Sequence, residues 1–176
     1  MDRRSGIGVV LISVVWLAGG TLGKAGSTAL PAQVTLDGVG GVVPGMTPAQ
    51  VARRWATRVS LGSEEIRPGC RTANVRAGSM RGYALFERGR FGAVWFQRGA
   101  STPSGIRIGS TRKALVRAYG SRLRWTPHRY EHGGFYVFLT RRGSPKWRIR
   151  FDGSRHGQVM QIGFGGRAVA YDEGCA

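Results

Sequence analysis

The sequence predicts an α+β fold made of two tandem units, in which each unit is a short helix packed on an antiparallel β-sheet. The segment "GGVVPGMTPAQVARRW", residues 40–55, is echoed by "GIRIGSTRKALVRAYG", residues 105–120. Apolar runs separated by Gly-containing turns follow both segments, and this is the pattern of β-hairpins. The repeated order predicts a first unit over residues 30–100 and a second over residues 101–176.

Residues 1–29 have the pattern of a signal peptide and its cleavage region. "MDRR" gives a positive start, and "GIGVVLISVVWLAGG" is a charge-free apolar run. Small residues suit cleavage after Ala25 or after Ala29. The alternative is an uncleaved membrane anchor, because the run from Gly6 to Gly23 approaches spanning length. Both interpretations predict that the remaining chain is secreted or associated with the cell envelope.

The first helix begins with a strong capping pattern. Thr47 is a good N-cap residue, Pro48 fits the first helical position, and Gln50 completes a capping box. We expect the helix to run from Pro48 to about Arg58. Its apolar stripe is Val51, Ala52 and Trp55, which are spaced for one helix face.

The second echo predicts a second helix of the same kind. Thr111 takes the place of Thr47 as the N-cap. Leu115 and Tyr119 continue the apolar stripe, and Gly120 supplies a helix stop.

Three segments predict antiparallel hairpins. They are "GYALFERGRFGAVWF" after the first helix, "GFYVFLTRRGSPKWRIRF" after the second, and "GQVMQIGFGGRAVAYDEG" near the end of the chain. Each contains an apolar run, a turn with glycine and a second apolar run.

The glycines before the two helices do not form a nucleotide-binding loop. A Walker-type loop needs Gly-Lys-Ser/Thr directly before its helix, and a dinucleotide loop needs G-x-G-x-x-G between a strand and a helix. Neither copy carries either pattern. The helix starts at Thr47 and Thr111 leave a weak phosphate or sulfate site open, but capping alone accounts for both.

At these residues the chain resembles two families of small exported domains. "PGMTPAQVARRW" and "IGSTRKALVRAYG" are similar to the Gly-Met-Thr helix start of envelope domains of the SmpA/OmlA (BamE) type. The tandem arrangement with the later "GGFYVFL" resembles the β-lactamase inhibitory protein fold, in which two helix-plus-antiparallel-sheet units pack side by side. The resemblance covers residues 36–171 in outline. The chain departs from the envelope lipoproteins because it has no lipobox cysteine and no Leu-Gly-x-Pro after the helix.

The two cysteines, Cys70 and Cys175, predict a disulfide that ties the C-terminus to the middle of the chain. Disulfides persist in the oxidising environment outside the cytosol, where the signal pattern sends this chain. The alternative is a pair of free thiols.

The segment "HRYEH", residues 128–132, fits the H-x-x-E-H zinc pattern. On a helix, His128 and His132 would share a face with Glu131 alongside. A third ligand would have to come from His156, Asp172 or Glu173. Two glycines and "FYVFL" follow and favour a strand entering a turn, where residues four apart lie about 13 Å from each other. We therefore expect exposed turn histidines with no metal and no cofactor, and a zinc-dependent exported hydrolase is the alternative.

The chain is strongly basic, with 27 Lys and Arg against 9 Asp and Glu and a formal net charge of +18. This charge predicts attraction to anionic partners over about a Debye length. The scarcity of acidic residues disfavours glycoside hydrolysis, which needs two converging carboxyl groups. The serine-hydrolase pattern G-x-S-x-G is absent as well.

Four arginines alternate with apolar residues in two strand-like segments. Arg122 and Arg124 lie in "SRLRW", and Arg148 and Arg150 lie in "KWRIRF". A period of two places the arginines on one sheet face and the aromatic residues on the other. The arginine face is either simply solvated or contacts an acidic partner, since planar guanidinium groups suit carboxylates and phosphates.

These patterns together predict an exported, non-catalytic binding module that engages an acidic extracellular protein or an anionic wall polymer. The inhibitor resemblance implies the narrower case of a secreted enzyme as the partner. We expect a monomer. We expect no specific nucleic-acid partner, because the alternation separates aromatic residues from positive charge. Contact with a membrane is expected only through an uncleaved signal segment. A third hypothesis is an electrostatic binder with no defined site, whose affinity falls steeply with salt.

Overall fold

The computed structural model describes residues 32–63 and 67–176. The signal peptide and cleavage region predicted for residues 1–29 lie outside the described residues. Within the described ranges, no helix has the length and apolar character needed to cross a membrane.

Helix α1, Pro48–Trp55, forms where the capping pattern predicts it. Thr47 Oγ1 accepts the amide of Gln50 at 3.3 Å, and Gln50 Oε1 accepts the amide of Thr47 at 2.8 Å, so the capping box is complete. The helix ends at Trp55 rather than near Arg58. Ala56 adopts a left-handed conformation with φ 47° and closes the helix there.

Helix α2, Arg112–Tyr119, is also confirmed. The side chain of Thr111 accepts the amide of Ala114 at 3.2 Å. Gly120 follows the last helical residue with φ 53°, a conformation that glycine adopts without steric cost. Sequence capping rules therefore locate both helices.

Nine strands form in the described part of the chain. They are β1 (Val34–Thr35), β2 (Gly38–Val39), β3 (Cys70–Ala77), β4 (Met80–Glu87), β5 (Arg90–Arg98), β6 (Leu123–Pro127), β7 (Phe135–Arg141), β8 (Ser144–Gly153) and β9 (Val159–Gly165). All their pairings are antiparallel.

The predicted fold class of two helix-on-sheet units is wrong. Strands β3 to β9 form one sheet in the order β3-β4-β5-β9-β8-β7-β6, beside a small β1-β2 sheet. Strand β9 pairs with β5 on one side and with β8 on the other. Strand β9 therefore joins the strands that follow α1 to the strands that follow α2. The two halves form one mostly-β architecture with two short helices. The division into residues 30–100 and 101–176 stays a prediction.

The predicted last hairpin does not form either. Only its first half becomes a strand, β9, and the chain then turns at Gly166 into a short 3-10 helix, Arg167–Ala170. Both edges of β9 are already paired, so no edge is left beside it for another strand.

Both helices pack on one face of the seven-stranded sheet. Val51 and Trp55 of α1 and Leu115 and Tyr119 of α2 are buried in the same apolar cluster. Trp55 Nε1 also donates a hydrogen bond of 2.7 Å to the carbonyl of Val39, which fixes α1 to the small β1-β2 sheet. We call this side of the large sheet the helix face.

The opposite face carries a smaller apolar cluster beneath residues 167–176, which we call the C-terminal segment. Ala168 and Val169 of the 3-10 helix pack against Leu85, Ala93 and Trp95 of the sheet. The C-terminal segment therefore covers part of the sheet face that the helices leave open, and we call this side the open face.

The predicted disulfide between Cys70 and Cys175 is present, with an S–S distance of 2.13 Å and a sequence separation of 105 residues. It ties the end of the C-terminal segment to β3. A disulfide of this kind is consistent with an oxidising compartment outside the cytosol.

Candidate anion-binding sites

Three of the four predicted arginines lie on the open face. Arg124 of β6 and Arg150 of β8 stand on either side of Phe138 of β7 in the strand register. Arg148 lies on the same face of β8, since its neighbour in sequence, Ile149, is buried on the helix face. Arg122 ends a short 3-10 helix directly before β6. The four arginines lie in one half of the sheet, but their surroundings differ.

Arg150 lies inside the protein and is only 2% exposed. Its Nε donates a hydrogen bond of 2.7 Å to Asp152, and its Nη1 donates to the carbonyls of Val169 at 3.2 Å and Tyr171 at 3.0 Å. Asp172 is a second ion-pair partner, at 3.3 Å. The guanidinium of Arg150 thus holds the C-terminal segment on the sheet, and its donors are engaged within the chain rather than offered to a partner.

Two further groups complete the surroundings of Arg150. Its guanidinium lies 3.8 Å from the ring centre of Tyr136, and the ring of His128 lies 4.3 Å from that ring. Burial raises the pKa of Asp152, and the charge of Arg150 opposes that rise without cancelling it. Burial also raises the pKa of Tyr136. The buried polar cluster is therefore built around an internal ion pair.

Arg148 is half-buried beside this cluster. Its guanidinium lies 5.9 Å from the ring centre of Phe138, and its buried Nε has no hydrogen-bond partner in the described part of the chain. Arg148 is thus less available to a partner than an exposed arginine.

Arg122 and Arg124 are exposed and lie in a hollow of about 530 Å³ that Arg141 and Arg142 also line. We call these four residues the β6–β7 arginine surface. Arg141 forms an ion pair with the exposed carboxylate of Asp37. No carboxylate of the described residues lies within ion-pair distance of the other three arginines.

Among the described residues, strand β6 pairs with β7 alone and so forms an edge of the large sheet. Its outer backbone groups lie next to the β6–β7 arginine surface. An edge of this kind is a template for pairing with a strand of another chain.

The "HRYEH" segment lies in the turn between β6 and β7, as the following glycines predict. Nδ1 of His128 accepts the amides of Tyr130 at 3.2 Å and Glu131 at 3.1 Å, and Glu131 Oε1 accepts the amide of Arg155 at 2.8 Å. His128 and His132 both line a hollow of about 440 Å³. Among residues 32–63 and 67–176, no three His, Cys, Asp or Glu side chains are grouped so that they could hold a metal ion.

A second basic site lies at the other end of the large sheet, and the sequence analysis missed it. Arg76 of β3 stands opposite Arg81 of β4, and Arg81 stands opposite Arg98 of β5. Arg58, from the loop after α1, joins them around a hollow of about 650 Å³. We call this hollow the arginine groove, and its other polar lining residues are Thr57, Asn74 and Gln97.

The arginine groove continues into a shallower polar hollow of about 450 Å³. Asn74 and Gln97 line both hollows, and the side chain of Tyr83 lies at the far end. The ring of Tyr83 is stacked on that of Trp95, with ring centres 5.2 Å apart. Burial raises the pKa of the Tyr83 hydroxyl, which is hydrogen-bonded to the side chain of Gln161.

A short sequence signal does mark this site. In "RAGSMR", residues 76–81, a two-residue turn at Gly78 and Ser79 joins β3 to β4. A two-residue hairpin loop fixes the register and places Arg76 directly opposite Arg81. Recognising this hairpin in the sequence would have predicted that Arg76 and Arg81, two like charges, lie opposite each other.

Neither a protein-family model nor a curated protein sequence matches this chain. Among solved structures, the chain is similar to a cysteine-rich secretory protein from Staphylococcus aureus subsp. aureus Mu50, with 13% sequence identity and a TM-score of 0.43. The match covers 72% of this chain and 46% of that one, so this chain spans less than half of that protein's length. A likeness of this size identifies neither the fold nor the function.

Proposed function

We propose that this chain is an exported, non-catalytic binding module that engages an acidic extracellular protein or an anionic envelope polymer through the β6–β7 arginine surface. One observation carries this proposal. Arg122, Arg124 and Arg142 line one hollow, and none of them has a carboxylate partner among the described residues. Guanidinium groups with unused donors suit carboxylates and phosphates, which they bind through paired hydrogen bonds.

The edge position of β6 favours a protein as the partner over a polymer. In the described part of the chain this strand pairs with β7 alone, and a partner strand can add to an open sheet edge through backbone hydrogen bonds. Acidic side chains on such a strand would reach the neighbouring arginines.

Export is part of the proposal. The signal pattern of residues 1–29 supports it, and so does the disulfide between Cys70 and Cys175. Release into the medium and retention at the envelope both agree with a monomeric binding module that needs no cofactor.

The described residues do not favour a zinc-dependent hydrolase as a second function. The pattern requires a helix that presents both histidines on one face, whereas residues 128–132 lie in a turn. The hydrogen bonds of His128 and Glu131 to backbone amides give these side chains a structural role in that turn.

The proposal is tested by mapping amide chemical shifts while poly-glutamate and poly(glycerol phosphate) are titrated into the purified, oxidised chain. We expect the shifts to concentrate on β6, β7 and the turn after β7. The double variant Arg122→Gln/Arg124→Gln should bind poly-glutamate about tenfold more weakly per arginine removed, because each charge-assisted hydrogen bond is worth about 1.5–3 kcal/mol.

The matched control is Arg53→Gln/Arg117→Gln, which removes the same charge from exposed positions on the two helices. Equal losses in both double variants would mean that net charge alone drives binding. A different outcome is that the β6–β7 variant binds poly-glutamate as tightly as the parent chain and self-associates. That result would show that these arginines only protect the edge strand from pairing with another copy.

A further inference from the structure

The arginine groove places three like charges directly opposite one another on adjacent strands. Arg76, Arg81 and Arg98 form this row across β3, β4 and β5. Neighbouring strands lie about 4.8 Å apart, and like charges at opposed positions are destabilising. No carboxylate of the described residues forms an ion pair with any of them or with Arg58. Within the described residues, this row therefore carries a repulsion that a bound anionic group would relieve.

Arg81 is held in place at the centre of this row. It is half-buried, and its Nη1 donates a hydrogen bond of 3.0 Å to the carbonyl of Gly78 in the hairpin turn. A guanidinium fixed by a backbone carbonyl loses less freedom on binding than a free one, and it keeps further donors for a ligand. Arg76 and Arg98 on either side are exposed, so anionic groups can reach all three.

The floor beside the arginines is polar and uncharged. Asn74 and Gln97 present amide groups that donate and accept hydrogen bonds, whereas the Tyr83 hydroxyl is already hydrogen-bonded to the side chain of Gln161. Such side chains suit a ligand that carries many hydroxyl groups. Both the groove and the β6–β7 arginine surface are lined by four arginines, but in the groove three of them stand opposite one another on adjacent strands.

Two features disfavour other polyanions in this groove. On the outer edge of β3, the carbonyl of Thr72 already accepts the amide of Gly62 at 2.8 Å, so that position is closed to the backbone of an added acidic peptide strand. Single-stranded nucleic acid is bound by aromatic rings on which successive bases stack. Tyr83 is the one aromatic residue among those lining the two joined hollows, and its ring is stacked on Trp95.

We infer that the arginine groove is a binding site for an oligosaccharide chain that carries carboxylate or sulfate groups. The arginine row holds the anionic groups, and the side chains of Asn74 and Gln97 hold sugar hydroxyls. This site lies on different strands from the β6–β7 arginine surface. The inference therefore does not depend on the proposed function.

The test is a set of titrations of the purified, oxidised chain, read from the amides of β3, β4 and β5 so that binding elsewhere does not contribute. The probes are a short oligogalacturonate, a sulfated galactan oligomer, a neutral oligosaccharide of the same length, oligo-glutamate and oligo-deoxythymidylate. We expect one or both anionic oligosaccharides to bind at least about tenfold more tightly than the other three probes. The stronger of the two identifies the anionic group. Equal or tighter binding of oligo-glutamate or oligo-deoxythymidylate would overturn the assignment, and so would equal binding of the neutral oligosaccharide.

Variants then test whether the named residues form the site. Arg76→Gln/Arg98→Gln should weaken binding of the preferred oligosaccharide about a hundredfold, or tenfold per arginine, and Asn74→Ala should weaken it without any change of charge. Arg53→Gln/Arg117→Gln is the charge-matched control and should leave binding within about twofold. An equal loss in the control, or no loss in the groove variants, would overturn the proposal.

Stability supplies a second readout that does not depend on a ligand. Removing Arg76 and Arg98 relieves the repulsion with Arg81, so the double variant should melt at a higher temperature than the parent chain when no oligosaccharide is present. The preferred oligosaccharide should then stabilise the parent chain more than the variant. A variant that melts at a lower temperature would contradict the claim that these arginines are kept for binding rather than for folding.

Discussion

Arg150 donates a hydrogen bond of 2.7 Å from its Nε to the carboxylate of Asp152, and both residues are buried on the open face of the sheet. The same guanidinium reaches the carbonyls of Val169 and Tyr171 in the C-terminal segment. This ion pair therefore joins β8 to the end of the chain. The alternation in the sequence assigns Arg150 to a partner-binding face, but Arg150 is instead part of the internal structure.

Replacing Arg150 should destabilise the fold strongly. Arg150→Met leaves Asp152 buried without its partner and two backbone carbonyls without a donor, a type of change that costs about 3–5 kcal/mol. Equilibrium unfolding in urea measures the loss. Arg124→Met is the control on the same face and should change the free energy of unfolding by no more than about 0.5 kcal/mol, because Arg124 is exposed. Similar values for both variants would contradict the structural role of Arg150.

The raised pKa of Asp152 predicts a specific pH dependence of stability. Its ordinary value is 3.8, and burial raises it in the folded chain. The folded state therefore binds the proton more tightly than the unfolded state. The stabilisation from this proton is fully present below pH 3.8 and is lost as pH rises through the higher folded value.

Asp152→Asn removes this titration and keeps the size of the side chain. The parent chain should lose stability relative to the variant as pH rises from below 3.8, and the difference should level off once Asp152 is ionised in both states. Urea unfolding across this pH range measures it. A difference that does not change with pH would mean that the pKa of Asp152 is the same in the folded and unfolded chains.

Removing the disulfide should both destabilise the protein and release the C-terminal segment. In the chain-entropy model, a loop of about 100 residues corresponds to about 4.7 kcal/mol. Cys70→Ser/Cys175→Ser should lose stability of this order in urea unfolding. Amide hydrogen exchange should rise first in residues 167–176. Unchanged exchange there would show that Arg150 and the small apolar cluster hold the segment without the disulfide.

His128 should matter for its hydrogen bonds and not for metal binding. Its Nδ1 accepts two backbone amides, so His128→Ala should cost about 1–3 kcal/mol if these amides find no other acceptor. His128→Asn keeps a side-chain acceptor and should recover part of that loss. Added zinc should leave the melting temperature of the parent chain unchanged. A zinc-dependent rise that disappears in both variants would revive the hydrolase hypothesis.

The local elements of the fold could be predicted from the sequence because their signals are short-range. Thr47 and Thr111 locate both helices through hydrogen bonds to amides three residues away. The two hairpins that follow the helices are likewise marked by apolar runs with a glycine turn between them.

The joining of the two halves could not be predicted, because it depends on strand pairings over long sequence separations. Phe96 of β5 pairs with Ile162 of β9, and nothing local to either strand specifies that partner. Strand β3 was missed for a different reason: its core positions are filled by small residues, Ala73 and Ala77 beside Val75, so its apolar alternation is weak.

The candidate binding residues likewise depend partly on local sequence signals and partly on long-range packing. Alternation correctly placed Arg124 and Arg150 on one face, but which of them is covered depends on the C-terminal segment lying across that face. The arginine groove needs the register of three strands, one of which the sequence analysis did not identify. Exposure and cross-strand pairing are tertiary properties, and they decide which arginines can bind.

For both sites we propose that specific arginines, which have no carboxylate partner among the described residues, bind anionic ligands and that net charge alone does not. The most direct measurement is a crossed set of dissociation constants, in which poly-glutamate and the preferred anionic oligosaccharide are each titrated into Arg122→Gln/Arg124→Gln and Arg76→Gln/Arg98→Gln. We expect poly-glutamate affinity to fall about tenfold per arginine in the first variant only, and oligosaccharide affinity to fall by the same factor in the second variant only. Equal losses for both ligands in both variants, matched by Arg53→Gln/Arg117→Gln, would contradict this expectation and leave the overall positive charge as the whole explanation.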